Sequence, residues 1–553
     1  MQRPLVGLKA ANVVRETTAG VTLLAIALPL NIGYAQIAGL PPTAGLYALV
    51  LPAVVYALTV SSRQVVASPD AAAAALVASS IGGLAAAGSA DYLTLAFAQA
   101  ILCGVMFALL AWFKLGFLAN FLSKPILVGF VGGLALDILV SQVAKMLGVK
   151  IDSGGEFVDK VVDLAANLDT MSGWSVLISG LAVVILVAGK RIARGVPWAL
   201  IVLIGATIAV VVADLEDAGV GVLGRVDAGP PTFTWPVIEW SMWLALVPSA
   251  MALTMVTTAE GLLVSRSYGE KRGYATDPNR DLFAFGMGNL AAGASGGFAV
   301  GSSTSRTAAM DQSGSRTQLP ALVTAAGTLL LLLFGTALLQ DIPSPAIGAI
   351  VAVAIIPLLG VAEFASLWRV DRVEFSVGAV CFLVTLLIGS IAGIVVAFVL
   401  ALINLAQRAA SPAIDVLAED GSPTDSLLDE APPGSVTAPG VIVIRLAAPL
   451  FFANGAVFGD AVKRAVTGAH EVRHLVVDME AVTDIDVTGA EAFESTKTWL
   501  DERGVVLAFS RVRPEVRARL SHLGLLTNER TFATNRAATA ALAHIETSTE
   551  SKE

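Results

Sequence analysis

The stretch from Thr257 to Thr317 reads TTAEGLLVSRSYGEKRGYATDPNRDLFAFGMGNLAAGASGGFAVGSSTSRTAAMDQSGSRT, and the rest of the chain is organised around it. A carboxylate, Glu260, stands inside an apolar run. A charged loop and a second apolar run of small residues follow. The interruption SGGFAVGSSTSR then leads into a short helix-forming segment that carries Arg306. An ionisable side chain at membrane depth costs about 2.5–3.5 kcal/mol even on lenient insertion scales, so it marks function by default. Glycine-broken backbone survives at that depth only where it lines a cavity or is buried in protein. Together these features imply a binding site of transporter type inside a membrane protein.

Outward from this stretch, the composition agrees. The chain has 553 residues, of which 56% are hydrophobic and 14% charged. Soluble domains carry roughly 25% charge. Charge becomes denser after residue 410, and before it apolar runs recur from Thr17 to Gln407. A membrane-crossing helix needs about 20 such residues, so the fold class is a polytopic α-helical membrane protein. The N-terminal MQRPLVGLKAANVVRETTAG has no cleavable signal pattern, and the first span is expected to remain in the mature chain.

Fourteen spans are expected, near 17–38, 43–60, 69–87, 91–113, 120–146, 174–189 and 196–213 in the first half. The second half supplies 243–266, 281–295, 303–316, 319–340, 343–361, 373–389 and 391–408. The third and tenth are too short or too polar to cross alone. With a cytoplasmic N-terminus, the inner loops hold Arg63, Lys114, Lys124, Lys190, Arg191, Arg194, Lys271, Arg272, Arg280, Arg316, Arg369 and Arg372. The outer loops hold only Lys150, Lys160 and Arg225, beside the acidic clusters Asp152, Glu156, Asp159 and Asp214, Glu216, Asp217. This asymmetry follows the positive-inside rule and puts both termini in the cytoplasm.

Two interrupted segments occupy matching places in the two halves. In SRQVVASPDAAAAALVAS an extended piece meets Pro69 and an alanine-rich helix, with Pro69 read as part of the first helical turn, where proline is tolerated. In GGFAVGSSTSRTAAMDQSG an extended piece meets a helix near Ser303–Ser305, which are good N-cap residues. Paired interrupted spans point to a transporter site at an inverted-repeat interface. Two helix N-termini aimed at the midplane would offer unpaired N–H donors and positive dipole ends to an anion.

ALPLNIGYAQIAGLPPTAGLY and YALTVSSRQVVASPDAAAAALVA in the first half carry a specific resemblance. So do AEGLLVSRSYGEKRGY, NLAAGASGGFAVGSSTSRTAAMDQSGSRTQL and LWRVDRVEF in the second. Over about residues 13–408 the chain resembles the SulP (sulfate permease) anion transporters, the family that includes animal anion exchangers and prestin. The resemblance implies seven-plus-seven inverted repeats, with a core domain (spans 1–4 and 8–11) and a gate domain (spans 5–7 and 12–14). It also implies elevator-type transport and a homodimer.

The transport domain is expected over 1–410 and a linker over 411–439, where SPAIDVLAEDGSPTDSLLDEAPPGSVTAPG has no apolar period. A soluble α/β domain follows over 440–545: strands VIVIRL, PLFFAN, HLVVDM and VVLAFS alternate with helices GDAVKRAV, TGAEAFESTKTWLDERG and PEVRARLSHLG. VTDIDVTGAEAF resembles the signature of STAS domains, so this domain is expected in the cytoplasm, with protein partners there. Thr488 stands where related antagonist proteins carry a phosphorylatable residue. It is read either as a regulatory site or as an N-cap following Asp486.

All four histidines (His470, His474, His522, His544) lie in the soluble domain, so coupling inside the membrane falls to carboxylates: Glu260, Asp70 and Asp137, with Glu363 and Asp311 nearer span ends. Cys103 and Cys381 lie in apolar spans and form no disulfide framework. No zinc-type cluster, phosphate loop or nucleophile elbow occurs, which argues against an enzyme and against any cofactor beyond Na+ or H+ as coupling ion. No nucleic-acid partner is expected.

In the resembling family, Glu260 matches the acidic position of the eighth span, associated in bacterial members with proton or sodium coupling. Arg306 matches an arginine beside the anion site. Ser303, Thr304 and Ser305 would supply hydroxyls and N–H groups, and Tyr34, Gln36, Pro69, Asp70 and Ala71 would line the rest. Asp70 departs from the family, which often has a small, hydroxyl-bearing or apolar residue there. It either pairs with Arg306, takes a proton during transport, or turns outward as a cap. Met310, where many members are polar, is a second departure. The leading expectation is a secondary active transporter of bicarbonate, a dicarboxylate or sulfate, coupled to H+ or Na+, in the plasma or inner membrane. An anion channel or exchanger without cation coupling, and a nucleobase-type permease, stay open beside it. Arg306 and the STAS-like segment argue against the permease.

Overall fold

The computed structural model describes residues 5, 7–120, 124–151, 156–193, 196–418, 429–430, 434–526 and 529–543. Arg194, Asp152, His544 and linker residues 419–428 and 431–433 lie outside the described residues, as does the side chain of Lys190. Contacts divide the chain into two compact units, Met1–Ala401 and Leu402–Glu553.

The first unit begins with α1 (Ala10–Ile37), α2 (Pro42–Tyr47), α3 (Leu51–Thr59), β1 (Ala67–Ser68), α4 (Ala71–Ile81) and α5 (Ala90–Trp112). Next come α6 (Lys124–Leu147), α7 (Phe157–Ala166), α8 (Gly173–Ile192) and α9 (Trp198–Val212). The long α10 (Trp240–Arg272) leads to α11 (Pro278–Ala294), β2 (Gly301–Ser302) and α12 (Thr304–Gln312). The series ends with α13 (Leu319–Phe334), α14 (Ser344–Ile355), α15 (Val361–Val370), α16 (Arg372–Leu387) and α17 (Ser390–Ala410).

Each expected span falls on helix. Among the described residues six stretches are long and apolar enough to cross a membrane: Ala10–Ile37, Pro42–Thr59, Ala90–Trp112, Lys124–Leu147, Trp240–Arg272 and Ser344–Val370. The expected second span is broken between α2 and α3, where Val50 leaves helical backbone just before Pro52. The third and tenth are short, at 11 residues in α4 and 9 in α12. Two helices were not expected, α7 and α15. α7 changes one reading: Lys160, assigned to an outer loop, is buried there and paired with Asp137 of α6 at 2.8 Å.

Close packing depends on small side chains, since helices in lipid gain little from hydrophobicity against one another. At the α5–α11 contact, a Cβ on Gly104 would lie 2.9 Å from the carbonyl oxygen of Gly286. The helices approach backbone to backbone, and α11 is thereby fixed as the platform beneath β2.

The second unit holds a six-stranded sheet in the order β4 (Asp429–Glu430), β3 (Ile414–Ala418), β5 (Val441–Leu446), β6 (His474–Asp478), β7 (Val506–Ser510), β8 (Arg530–Phe532). β5 to β8 run parallel, and β3 is antiparallel to β5. Between the strands come α18 (Gly455–Gly468), α19 (Val487–Asp501) and α20 (Pro514–His522), and α21 (Asn535–Ala543) follows β8. Ile442, Phe458, Val477, Phe493 and Phe509 fill one face of the sheet, and Val443, Val476, Ala538 and Leu542 the other.

Two corrections follow for this unit. β3 comes from the stretch read as linker, where Ile414–Ala418 pairs along Ile444–Leu446. PLFFAN is not a strand, because Asn454 folds it into a turn, accepting from Phe451 N at 2.9 Å and donating to Pro449 O at 2.9 Å.

Candidate functional site

The site is built where the two interrupted segments cross. β1 and β2 pair antiparallel, Ala67 opposite Ser302 and Ser68 opposite Gly301. The Ser303 amide donates to Val66 O at 3.0 Å, and the Val66 amide donates to Thr307 Oγ1 at 3.0 Å. Two residues of ladder cannot satisfy this much irregular backbone at membrane depth. Buried side chains complete the pairing. Asn289 of α11 grips Val300 with both amide atoms, at 2.9 and 3.0 Å. Gln318 donates to Ser62 O and Val65 O, at 3.1 and 2.8 Å. Asp281 accepts from the amides of Ser61 and Ser62 and from Ser265 Oγ. None of these was singled out from sequence, although a fully buried Asn, Asp and Gln beside broken backbone is itself the signal.

α4 and α12 start from this crossing and each carries a side-chain cap. Asp70 Oδ1 accepts from Ala73 N at 2.7 Å, and Ser303 Oγ accepts from Arg306 N at 3.4 Å. Pro69 therefore precedes the cap and is not in the first turn, while Ala71 is the first helical residue and is buried. Thr304 and Ser305, the first two residues of α12, are exposed.

Arg306 joins the two helix starts. It is 1% exposed, and its Nε donates to Ser303 Oγ at 2.8 Å. Its Nη2 donates to the carbonyl of Pro69, just before the cap of the other half-helix. Nη1 is buried with no partner among the described residues. The guanidinium carbon lies 5.7 Å from the ring centroid of Tyr34, within cation–π range. No carboxylate lies within 4 Å of it among the described residues. Of the three arrangements open to Asp70, direct pairing with Arg306 is thereby corrected: its carboxylate is the cap of α4.

The second carboxylate oxygen of Asp70 sits against Gly301. A Cβ at Gly301 would fall 2.2 Å from Asp70 Oδ2 and 3.3 Å from Thr257 Oγ1 of α10. Glu260 lies one turn beyond Thr257, half-buried, and its carboxylate makes no hydrogen bond or ion pair to another described residue. Thr257 and Gly301 were missed from sequence, since a hydroxyl in an apolar helix and a glycine in a glycine-rich loop are both commonplace.

The remaining expectations divide. Tyr34 is at the site, but Gln36 turns away to accept from Lys145 Nζ at 3.1 Å. Asp137 is engaged by Lys160, and Asp311 by Lys271, Arg272 and Arg316 at 3.0, 2.6 and 3.3 Å. Glu16, unremarked in the sequence, is fully buried and fixes the turn after α12 through Ser315 Oγ, Arg316 N and Thr317 Oγ1. A cavity of about 750 Å³ beside the second half of α10 is lined by the cations Lys114, Lys124 and Arg266. In the second unit Thr488 is exposed at the second position of α19, and Asp486 is the cap, accepting from Gly489 N at 2.6 Å.

The sequence was compared with known proteins. Residues 14–381 match the sequence profile of the sulfate permease family, and residues 433–538 that of the STAS domain. A probable sulfate transporter of Mycobacterium tuberculosis (strain CDC 1551) is 34% identical over 517 residues, covering 92% of this chain and 91% of the relative. The fold is similar to that of the murine Solute Carrier 26 family member A9 anion transporter in its inward-facing state. There the TM-score is 0.87 at 22% identity, covering 98% of this chain and 93% of the other. The transmembrane domain of the cyanobacterial bicarbonate transporter BicA gives a TM-score of 0.61 at 23% identity, covering 72% of this chain and 98% of the other.

Proposed function

Because this chain belongs to the sulfate permease family and carries a STAS domain, we propose that it is a cation-coupled secondary transporter whose small anion binds between the starts of α4 and α12. It is a multi-pass membrane transporter and not an enzyme. The carrying observation is Arg306, a buried guanidinium whose Nη1 has no partner and which has no carboxylate within 4 Å among the described residues. Two of its five N–H groups are fixed by Ser303 and Pro69, so Nη1 is held in position without reorganisation. The N-terminal dipoles of two helices add positive potential at the same place. Sulfate, bicarbonate or a dicarboxylate offers oxygens to the two N–H groups of Nη1.

Coupling follows from the carboxylates. Arg306 alone cannot balance ionised Asp70, ionised Glu260 and an entering anion. At 4 Å and an effective dielectric near 20, like charges repel by about 4 kcal/mol. A proton or Na+ taken up at Asp70 or Glu260 removes that repulsion, so anion and cation load together. Thr257 Oγ1, near Asp70 Oδ2, adds a neutral oxygen to that cation position. In this reading the helices around the crossing move as one body against α6–α9 and α14–α17 in an elevator step. The protein works as a homodimer in the plasma or inner membrane, with both termini and the STAS domain cytoplasmic and Thr488 open to regulatory partners.

The test is uptake by proteoliposomes of labelled sulfate, bicarbonate and succinate under imposed pH and sodium gradients. Concentrative uptake of one of them that collapses with the cation gradient supports the proposal. Anion current that follows the anion gradient alone, with no cation dependence, rejects coupling.

A further inference from the structure

A second cavity, of about 180 Å³, lies where the last turn of α1 meets α4, α6, α7 and the end of α16. On α4 it is lined by Ala75, Ala78 and Ser79. At 1.5 Å per residue this is roughly 6–12 Å along the helix from its start at Ala71, so the cavity is separate from the Arg306 site. Its volume exceeds that of several waters, at about 30 Å³ each.

Its lining carries Lys145 and Lys160 against Asp137 and Glu156, and among the described residues only Lys160 and Asp137 pair. Among the described residues Lys145 donates only to the neutral side-chain oxygen of Gln36, and no carboxylate lies within 4 Å of its ammonium. Asp137 engages Lys160 with both oxygens, at 2.9 and 2.8 Å. Gln142 is 0% exposed, lines the cavity, and has no partner for either its amide nitrogen or its amide oxygen among the described residues. It stands three residues before Lys145, on the same face of α6. A buried amide left unpaired costs about 1–3 kcal/mol, and an uncompensated ammonium adds its own desolvation cost. A single occupant relieves both if the Gln142 amide, closed off from the cavity as the site stands, turns so that the occupant accepts from Lys145 Nζ and Gln142 Nε2 together.

We infer that this cavity is a second anion-binding site, in which Lys145 and Gln142 hold a small oxyanion or carboxylate beside the Arg306 site. The ligand class rests on the reading of the chain as an anion transporter, but the site itself rests on its own lining. With Gln36 on α1 and Lys145 on α6, the occupant touches both sides of the cavity. It serves as a staging position between the half-helix site and the α6–α7 end of the membrane domain.

The full-length chain in detergent, at constant ionic strength, is titrated separately with sodium sulfate, bicarbonate and succinate. Equilibrium binding and melting temperature are read for each. The wild type is expected to bind at least one of them in two phases. Arg306→Ala should keep one phase and Lys145→Met the other, and the double variant should keep neither. Lys145→Met should also raise the anion-free melting temperature, because a buried unpaired charge is gone. Lys145→Arg should retain binding within about threefold. Gln142→Met keeps the volume, removes the amide, and should weaken the phase assigned to this cavity by about tenfold, the equivalent of 1.4 kcal/mol. The inference is overturned by a wild type that none of the three anions stabilises. Loss of all binding on Arg306→Ala in a folded chain, or unchanged binding in Lys145→Met and Gln142→Met, would overturn it equally. Failure of the transport reading looks different: the cavity phase persists while the wild type takes up none of the three anions.

Discussion

Arg306, in the first turn of α12, donates to the backbone carbonyl of Pro69 at the entry to α4, so one half-helix holds the chain that begins the other. Among the described residues the same guanidinium leaves Nη1 unpaired. Its side chain thus fixes the crossing and, in the proposed reading, holds a donor for the anion there.

Arg306→Ala should weaken anion binding by at least about tenfold and lower stability as well, since hydrogen bonds from a charged donor contribute roughly 1.5–3 kcal/mol each. Arg306→Lys keeps the charge but not the fork that reaches Ser303 and Pro69 together, and should recover affinity only in part. Binding isotherms with parallel melting curves check both. Equal affinity in all three proteins would remove Arg306 from the site.

Asp70 is expected to act in the opposite direction. Asp70→Ala loses the cap of α4, a cost of about 0.5–2 kcal/mol, while relieving repulsion of the anion. Asp70→Asn keeps a capping oxygen and removes only the charge. Anion affinity should rise in both, melting temperature should fall mainly in the alanine variant, and cation dependence should weaken in both. Paired with Arg306→Ala, the effects should be non-additive, as expected for neighbouring charges. Strict additivity in a double-mutant cycle would place the two residues in separate environments.

Glu260→Gln should abolish gradient-driven uptake and leave anion exchange measurable, because the carboxylate has no bond to other described residues whose loss would unfold the helix. Counterflow and uptake in the same proteoliposomes separate the two outcomes. Undiminished concentrative uptake would assign coupling elsewhere, with Asp70 the next candidate.

Gly301→Ala should be as damaging as loss of a charged residue. Its Cβ would fall 2.2 Å from Asp70 Oδ2, forcing the cap away from α4. Overpacking of this kind costs about 1–3 kcal/mol. Asp70→Ala in the same chain removes the obstructing oxygen, so the double variant should melt higher than the sum of the single changes allows. A fully additive melting result would show that the clash is relieved by backbone movement instead.

The crossing was legible in the sequence because its signals are local: Pro69, the glycine run at Gly296–Gly297, and the serines before Arg306 each mark a helix interruption or start on their own. What the sequence left open depends on direction. Gln36 and Tyr34 sit two residues apart on α1, and only the packing of α6 and α12 against it shows that one faces Lys145 and the other Arg306. Lys160 was read as a loop residue because the acidic residues around it resemble a solvated surface, and its burial follows from Asp137, 23 positions away. Capping misled in both units. Proline before a helix and threonine after an aspartate are each compatible with two registers, and the hydrogen bonds of Asp70 and Asp486 select one. The turn at PLFFAN was hidden by its apolar composition, which outweighed the single asparagine that folds it.

The bond between Arg306 and Pro69 spans 237 positions of chain. At the usual 5–20 residues per second of synthesis, roughly 10–50 s separate the appearance of its two partners. During that interval α4 has neither β2 beside its entry nor the guanidinium above its start, and its exposed amides cannot be left in hydrocarbon. The half-helix therefore has to wait, sheltered by the insertion machinery or held at the membrane surface, until the second half of the protein is made. Biogenesis of this site is a late event, and truncation anywhere before Gln318 leaves the first half with a membrane segment that it cannot complete.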